Sequence, residues 1–303
     1  MPIGEKERFL FMNFDLFKKN VRESLEKKGY TVREFIVHKP NKKLEAFVIA
    51  DDETVNDFQV TFYYNELYKL SQNIDLVVEN VINTNNCDCK ISINKEDLRD
   101  FSKLQNNIYC TIINAERNED LLKEIPYISF CDLAIIFKAQ LDSKDCDIAS
   151  VNISNNMLKV WGVDVSDLLE KALANNDIVL GKSCIKPLYD ILVNEMGGIH
   201  MDNIDNNNML YLFGNEKKMY GANCIITHKE ILKEFAESRN TDVIILPSSR
   251  HEVLLIPYSS SNFNIAELRD MVSSVNLYHV SVDDYLSDNV YIYKRAEDII
   301  EIA

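Results

Sequence analysis

Two uniformly apolar stretches, Val243–Leu246 and Val253–Ile256, are separated only by the six residues Pro247 to Glu252. A parallel strand pair needs a crossover of a dozen or more residues, whereas antiparallel strands can be joined by a short turn. The link therefore dictates a hairpin and an antiparallel sheet. Neither arm alternates apolar with polar side chains, which predicts cover on both faces. The arms are expected among the most buried segments, and the tip is expected exposed.

The surrounding pattern supplies more strands and the helices that cover them. Strands are predicted over Met209–Phe213, Gly221–Ile226 and Val290–Tyr293. Thr227 and Glu230 have the spacing of a capping box before a helix with Ile231, Leu232, Phe235 and Ala236 inward. Asn264 and Glu267 precede a second, with Ile265, Leu268, Met271, Val272 and Val275 inward. Helices packed on antiparallel sheet give an α+β fold. Towards the N-terminus, Phe14, Phe17, Val21 and Leu25 stripe a helix stopped by Gly29. Strands Tyr30–Val37 and Leu44–Ala50 follow, then an aromatic strand Phe58–Tyr64 and a helix Ile74–Ile82. A helix is expected near Lys95–Leu104, a strand over Ile108–Ile113, and a short helix Asn118–Glu124 cut off before Pro126. Ile128–Leu141 is apolar except for Asp132 and Lys138, and its length favours helix. Asp164 is placed to cap a helix carrying Leu168, Leu169, Ala172 and Leu173. Pro187 opens another, with Leu188, Ile191 and Leu192 inward. The polar stretch Ala149–Gly162, which ends near the single tryptophan Trp161, marks the expected junction between two subdomains, 1–155 and 156–303.

The chain is acidic throughout, with net charge −6 over residues 1–150 and −9 over 151–303. Non-specific nucleic-acid binding needs clustered Lys and Arg to displace counterions. Here the basic doublets, such as Lys18-Lys19 and Lys217-Lys218, are isolated, and no non-specific nucleic-acid binding is expected. The seven cysteines are irregularly spaced, unlike a disulfide framework, and point to a reducing cytosol. The charged N-terminus lacks a signal-peptide apolar core. Apolar runs reach about five residues, against the roughly 20 of a membrane helix. A cytoplasmic protein with no membrane association is expected.

Chemical motifs fail one by one. Gly181-Lys182-Ser183 resembles the end of a phosphate loop, but Asn176 stands where that loop needs its first glycine. His251-Glu252 begins a zinc-protease pattern whose second histidine is replaced by Leu255. Cys87 and Cys89 lack a second close pair for zinc. Asp202, Asp205 and Asn207 do not have calcium-loop spacing. No cofactor and no metal are expected. The densest polar cluster is the hairpin tip, Ser248, Ser249, Arg250, His251 and Glu252. A serine there could act as nucleophile, with His251 as base and Glu252 orienting it, although no nucleophile elbow surrounds either serine. A polar turn is the simpler account, since serine bonds readily to its local backbone.

Several phrases carry a resemblance: Asn118-Glu119-Asp120-Leu121-Leu122-Lys123-Glu124-Ile125-Pro126, Asp132-Leu133-Ala134-Ile135-Ile136-Phe137, Leu158-Lys159-Val160-Trp161-Gly162-Val163, Leu232-Lys233-Glu234-Phe235-Ala236, and Ile245-Leu246-Pro247-Ser248-Ser249-Arg250-His251-Glu252-Val253. Together they make the chain similar, from about Phe14 to Lys294, to an uncharacterised bacterial domain-of-unknown-function family known from anaerobic gut-type bacteria. The resemblance implies a bacterial cytoplasmic protein associated with mobile elements, and no activity, cofactor or catalytic residue. It also implies an apolar residue where Arg250 stands, which argues against a family-wide role for Arg250.

Two functions of different class remain. A non-enzymatic intracellular binding or regulatory protein, acting with a protein partner, is favoured because no metal, nucleotide or triad signature survives. The alternative is a hydrolase-like enzyme using the 247–252 hairpin.

Overall fold

In the computed structural model, residues 12–50, 60–86, 95–144, 147–195, 210–247, 249–258 and 264–303 are described. The chain divides into two units, residues 1–39 with 43–94, and residues 40–42 with 95–303.

The first unit opens with α1 (Phe14–Lys27), whose N-cap Asn13 accepts a hydrogen bond from the Asp15 amide. Its buried stripe, Phe17, Val21 and Leu25, is the one its spacing predicts. The hairpin β1 (Thr31–Lys39) and β2 (Lys42–Ala50) follows, and β2 pairs with the short β3 (Phe62–Tyr63). Helix α2 (Tyr64–Leu70) starts where the aromatic strand was expected to end, and α3 (Ile74–Asn85) is capped by Asn73. Phe17, Val21, Phe47, Tyr64, Val78 and Val81 share one core. Tyr64, Leu67 and Tyr68 thus serve a helix: their three- and four-residue spacing turns them to one side, which outweighs the strand preference of aromatic residues.

The second unit begins with α4 (Lys95–Arg99) and α5 (Phe101–Leu104), broken at Asp100, which caps α5. Then come β4 (Ile108–Asn114), α6 (Glu119–Glu124), β5 (Tyr127–Phe130), β6 (Leu133–Lys144), β7 (Asp147–Asn152) and α7 (Asn155–Trp161). These strands form one antiparallel sheet in the order β4-β6-β5, with β7 also on β6. The helix expected over 128–141 is therefore two strands. Cys131, in left-handed conformation (φ 53°), turns the chain between them. Both faces of β6 are covered: Leu133, Ile135 and Phe137 enter the large core, while Ala134 and Ile136 pack with Leu121 and Leu122 of α6. A strand buried on two sides loses its alternation and reads like a helix.

Helix α8 (Val165–Leu180) is capped by Asp164, with Asp167 completing a capping box. After it come β8 (Ser183–Pro187), α9 (Leu188–Glu195), β9 (Tyr211–Asn215), a 3-10 turn Gly221–Asn223, α10 (Cys224–Thr227), α11 (Lys229–Arg239), β10 (Val243–Leu246), β11 (Val253–Pro257), α12 (Ile265–His279), β12 (Tyr291–Lys294) and β13 (Ile299–Ile302). The six-stranded sheet runs β13-β12-β10-β11-β9-β8, all antiparallel. The apolar hairpin lies at its centre with register Val243↔Pro257 to Leu246↔Leu254. Val243, Ile245, Val253 and Leu255 point into a core shared with the other sheet, α8 and α11. Ile244, Leu246 and Ile256 pack against Leu268 and Val272 of α12. The predicted cover on both faces is present, and the fold is α+β, with three antiparallel sheets among the described residues.

Several local expectations are overturned. Gly221–Ile226 is helical, not extended. Thr227 and Glu230 form no capping box: the Thr227 hydroxyl donates to the Asn223 carbonyl, and the N-cap of α11 is His228, with no side-chain cap bond. Pro187 ends β8, and Leu192 is exposed on α9, as are Met271 and Val275 on α12. Strand β13 was not anticipated. The junction expected at 155/156 falls inside the second unit, where Met157, Leu158 and Trp161 of α7 pack on the large core and the Trp161 indole donates to the Leu98 carbonyl at 3.0 Å.

Candidate functional site

The tip of the β10–β11 hairpin is bolted down on both sides. Ser249 bridges to Tyr285, and the Arg250 amide donates to the Asp284 carbonyl at 2.9 Å. On the other side the Ala222 amide donates to the Arg250 carbonyl at 3.2 Å. Gly221 lies so close that a Cβ there would sit 2.4 Å from the His251 carbonyl oxygen. Only glycine permits this approach. Ser249, Arg250, His251 and Glu252 are consequently half-buried, not exposed. Ser248 lies outside the described residues, as do Asp202, Asp205, Asn207, Cys87 and Cys89.

Asp284 organises the charges of the tip. Its Oδ1 accepts from His251 Nε2 at 3.0 Å and lies 2.8 Å from Arg250 Nε. The Arg250 N–H is not aligned on that oxygen, so this contact is an ion pair held by charge. The Ser281 hydroxyl donates to Oδ2 at 2.7 Å. Burial alone would raise the Asp284 carboxyl, but Ser281, Arg250 and His251 together hold it below the ordinary carboxylate range. Burial pushes the Glu252 carboxyl up.

The predicted nucleophile, base and orienter are not assembled as a relay. Ser249 Oγ accepts from the backbone amide of His251 at 3.1 Å, and among the described residues no hydrogen bond joins it to the imidazole. The partner of His251 is Asp284 and not Glu252. With Nε2 donating to Asp284, Nδ1 is left buried without a partner.

Tyr220 brings in what motif reading misses. It sits before the 3-10 turn in left-handed conformation (φ 53°, ψ 21°), a costly state for a bulky residue. Its ring stacks on His251 with centroids 6.3 Å apart, and lies 6.1 Å from the ring of Tyr109. Arg250 Cζ stands 5.2 Å and Lys138 Nζ 6.0 Å from the Tyr220 centroid. Two cations thus stand within about 6 Å of one aromatic ring. Lys138 is on β6, opposite Tyr109 of β4 and Asn152 of β7, and only 9% of it is exposed. Its ammonium makes no hydrogen bond or ion pair among the described residues. Burial, reinforced by Arg250, pushes Lys138 down to about 8. On its flanking strands the Asn152 side-chain oxygen is buried without a partner, and the buried Tyr109 hydroxyl has Ser150 nearby but no aligned hydrogen bond. Buried polar atoms are nearly always satisfied, so orphans gathered in one place call for an explanation.

The contrast with the groove between α1 and the β1–β2 hairpin is instructive. Its charges are already paired, Lys18 with Glu45 and Arg22 with Glu34. The phosphate-loop reading is excluded by order: Gly181 follows helix α8 and Ser183 begins a strand, the reverse of strand–loop–helix. Leu255 lies in β11, so His251-Glu252 offers no helical metal face. Among the described residues no group of three or more His, Cys, Asp or Glu is placed to hold a metal, and no helix is long and apolar enough to cross a membrane.

No curated protein and no solved structure matches the chain. The match to a family model is nearly full-length, from residue 12 to residue 295, and the chain belongs to the family of unknown function DUF5688.

Proposed function

We propose that this protein is a binding protein that receives a small anion, a carboxylate or phosphate, between Lys138, Tyr109 and the hairpin tip. The observation that carries this is Lys138, which is nine-tenths buried and whose ammonium has no carboxylate or carbonyl partner among the described residues. Burying an unpaired charge costs several kcal/mol, a cost that an anion would offset. Arg250 and His251 already face the Asp284 carboxylate, which leaves Lys138 as the cation of the cluster open to an added anion. Lys138 is the primary contact, with Tyr109 and Asn152 beside it; Arg250 contributes in this chain and need not do so in its relatives.

Four described cysteines are free, among them the exposed Cys131 and half-exposed Cys184, which supports a role inside a reducing compartment. Acidity spread over both halves supports a partner other than duplex nucleic acid. The binding reading is tested by thermal melting with inorganic phosphate, malonate and citrate in turn. At least one should raise the melting temperature in a saturable way, and Lys138→Met should abolish that rise. Equal shifts in both proteins, or none in the wild type, would refute it.

A further inference from the structure

A second polar cluster, separate from the Lys138 site, lies where α8, β8 and the α10–α11 junction meet. Ser183 Oγ is 3.0 Å from His228 Nδ1, and His228 Nε2 is 2.8 Å from Asp177 Oδ1. Asp177 is in the last turn of α8, Ser183 is the first residue of β8, and Gly181 between them takes a positive φ of 78° that reverses the chain. His228 is fixed by its place between α10 and α11.

The Asp177 carboxylate beside Nε2 draws the imidazole hydrogen to that nitrogen by charge, although the N–H is not aligned on Oδ1 and the contact is not a hydrogen bond. Nδ1 is then an unprotonated acceptor. Two hydroxyls lie near it, Ser183 at 3.0 Å and Thr227 at 2.9 Å. Thr227 donates to the Asn223 carbonyl at 3.2 Å, which leaves the lone pair of Nδ1 to the Ser183 hydroxyl. The neighbouring Cys224 Sγ, 3.1 Å from Ser183 Oγ, is fully buried, and burial pushes its thiol up to about 12. It is held as S–H and does not compete as a nucleophile. Ser183 itself is half-exposed, and the Asp177 side chain is 48% exposed, so the cluster opens to solvent.

We infer that Ser183, His228 and Asp177 form an acyl-transfer relay that hydrolyses small carboxylic esters, a function beyond the proposed anion binding. The logic is that of the serine–histidine–aspartate triad with the imidazole nitrogens exchanged. Ser183 Oγ forms a bond to the ester carbonyl carbon as its proton passes to His228 Nδ1. The carbon–alkoxy bond breaks, and the leaving alcohol takes that proton. Water then attacks the acyl-serine, giving its proton to Nδ1 and releasing the carboxylic acid as Ser183 is reprotonated. Nothing is oxidised or reduced. Ser183 and His228 act on the reacting atoms; Asp177 is a positioning residue that fixes the tautomer. The crowding of Ser183 by Cys224 and His228 favours a small acyl group.

The test treats the full chain with a small fluorophosphonate and locates the adduct by peptide mass spectrometry. One adduct on Ser183 is expected, absent in Ser183→Ala. Labelling should slow at least ~100-fold in His228→Ala, the lower bound for losing a general base, and at least ~10-fold in Asp177→Asn. Asp177→Asn changes one oxygen of a half-exposed side chain and serves if His228→Ala does not fold. A merely structural network would leave folded Asp177→Asn labelling at the wild-type rate. That result, or a wild-type protein that carries no adduct on Ser183, would overturn the inference.

Discussion

Replacing Lys138 with methionine should stabilise the free protein at neutral pH, and the gain should vanish in alkali. Methionine keeps the length and most of the volume of the lysine stem while removing the charge. The ordinary lysine value is 10.5 and the folded value about 8. At about 1.4 kcal/mol per pH unit, this gap makes the buried ammonium worth roughly 3 kcal/mol of lost stability. Below about pH 8 both folded and unfolded chains hold the proton, and the cost is fully present. Between about 8 and 10.5 the folded chain releases the proton while the unfolded chain keeps it. The unfolded state then binds more protons, so this lysine makes wild-type stability rise with pH across that window. Above it both states are neutral and the cost is gone. Buried thiols and tyrosines also titrate in alkali, but they are common to both proteins and cancel in the difference. Urea melts of wild type and Lys138→Met at several pH values from 7 to 11 would measure it. The advantage of the variant should fall from roughly 3 kcal/mol towards zero. A variant less stable than wild type at pH 7, or a difference that does not change with pH, would show that Lys138 is not an uncompensated buried charge.

Leu255→Ala, at a fully buried position in β11, should cost about 2–5 kcal/mol in the same melts. His251→Ala should cost about 1–2 kcal/mol, because it removes a half-exposed hydrogen bond to the Asp284 carboxylate; a cost within about 0.5 kcal/mol would return the tip to the status of a free surface turn. Gly221→Ala should destabilise by at least about 1–3 kcal/mol as the His251 carbonyl is forced away, and a neutral melt would contradict the close approach. Thiol titration of freshly unfolded protein without reductant should find close to all seven cysteines; a large deficit would contradict the reducing compartment.

Segments with one buried face and a local stop signal were legible in the sequence. The stripe of α1, the Asp164 cap of α8 and the hairpin link all act over a few residues. Segments covered on both sides were legible only where a polar link bounded them, as it does between β10 and β11. The β5–β6 hairpin reads as one helix because its two faces are both apolar and its turn rests on a left-handed Cys131, which carries no glycine or asparagine signal. Gly221–Ile226 has the composition of a strand, but tertiary bonds decide otherwise: Asn223 Nδ2 donates to the Cys110 carbonyl and reaches Asn176. The candidate site was half visible. The tip residues stood out as a polar cluster, and Lys138 as a charge in an apolar run. Their meeting at Tyr220, and the choice of Asp284 over Glu252 as partner of His251, depend on segments far apart in the chain.

The central place of β10 also orders how the molecule opens. It is hydrogen-bonded on one side to β11 and on the other to β12, and it is sealed above and below by the two cores. No local fraying can expose its amides. Among the described residues the outer strands β13 and β8 each have one ladder and can peel away singly. Hydrogen exchange should therefore be graded across the sheet, quickest at β13 and β8, with Ile244–Leu246 exchanging only when the whole second unit unfolds. Since the hairpin tip is the direct continuation of those strands, its charges rest on the last part of the sheet to come apart.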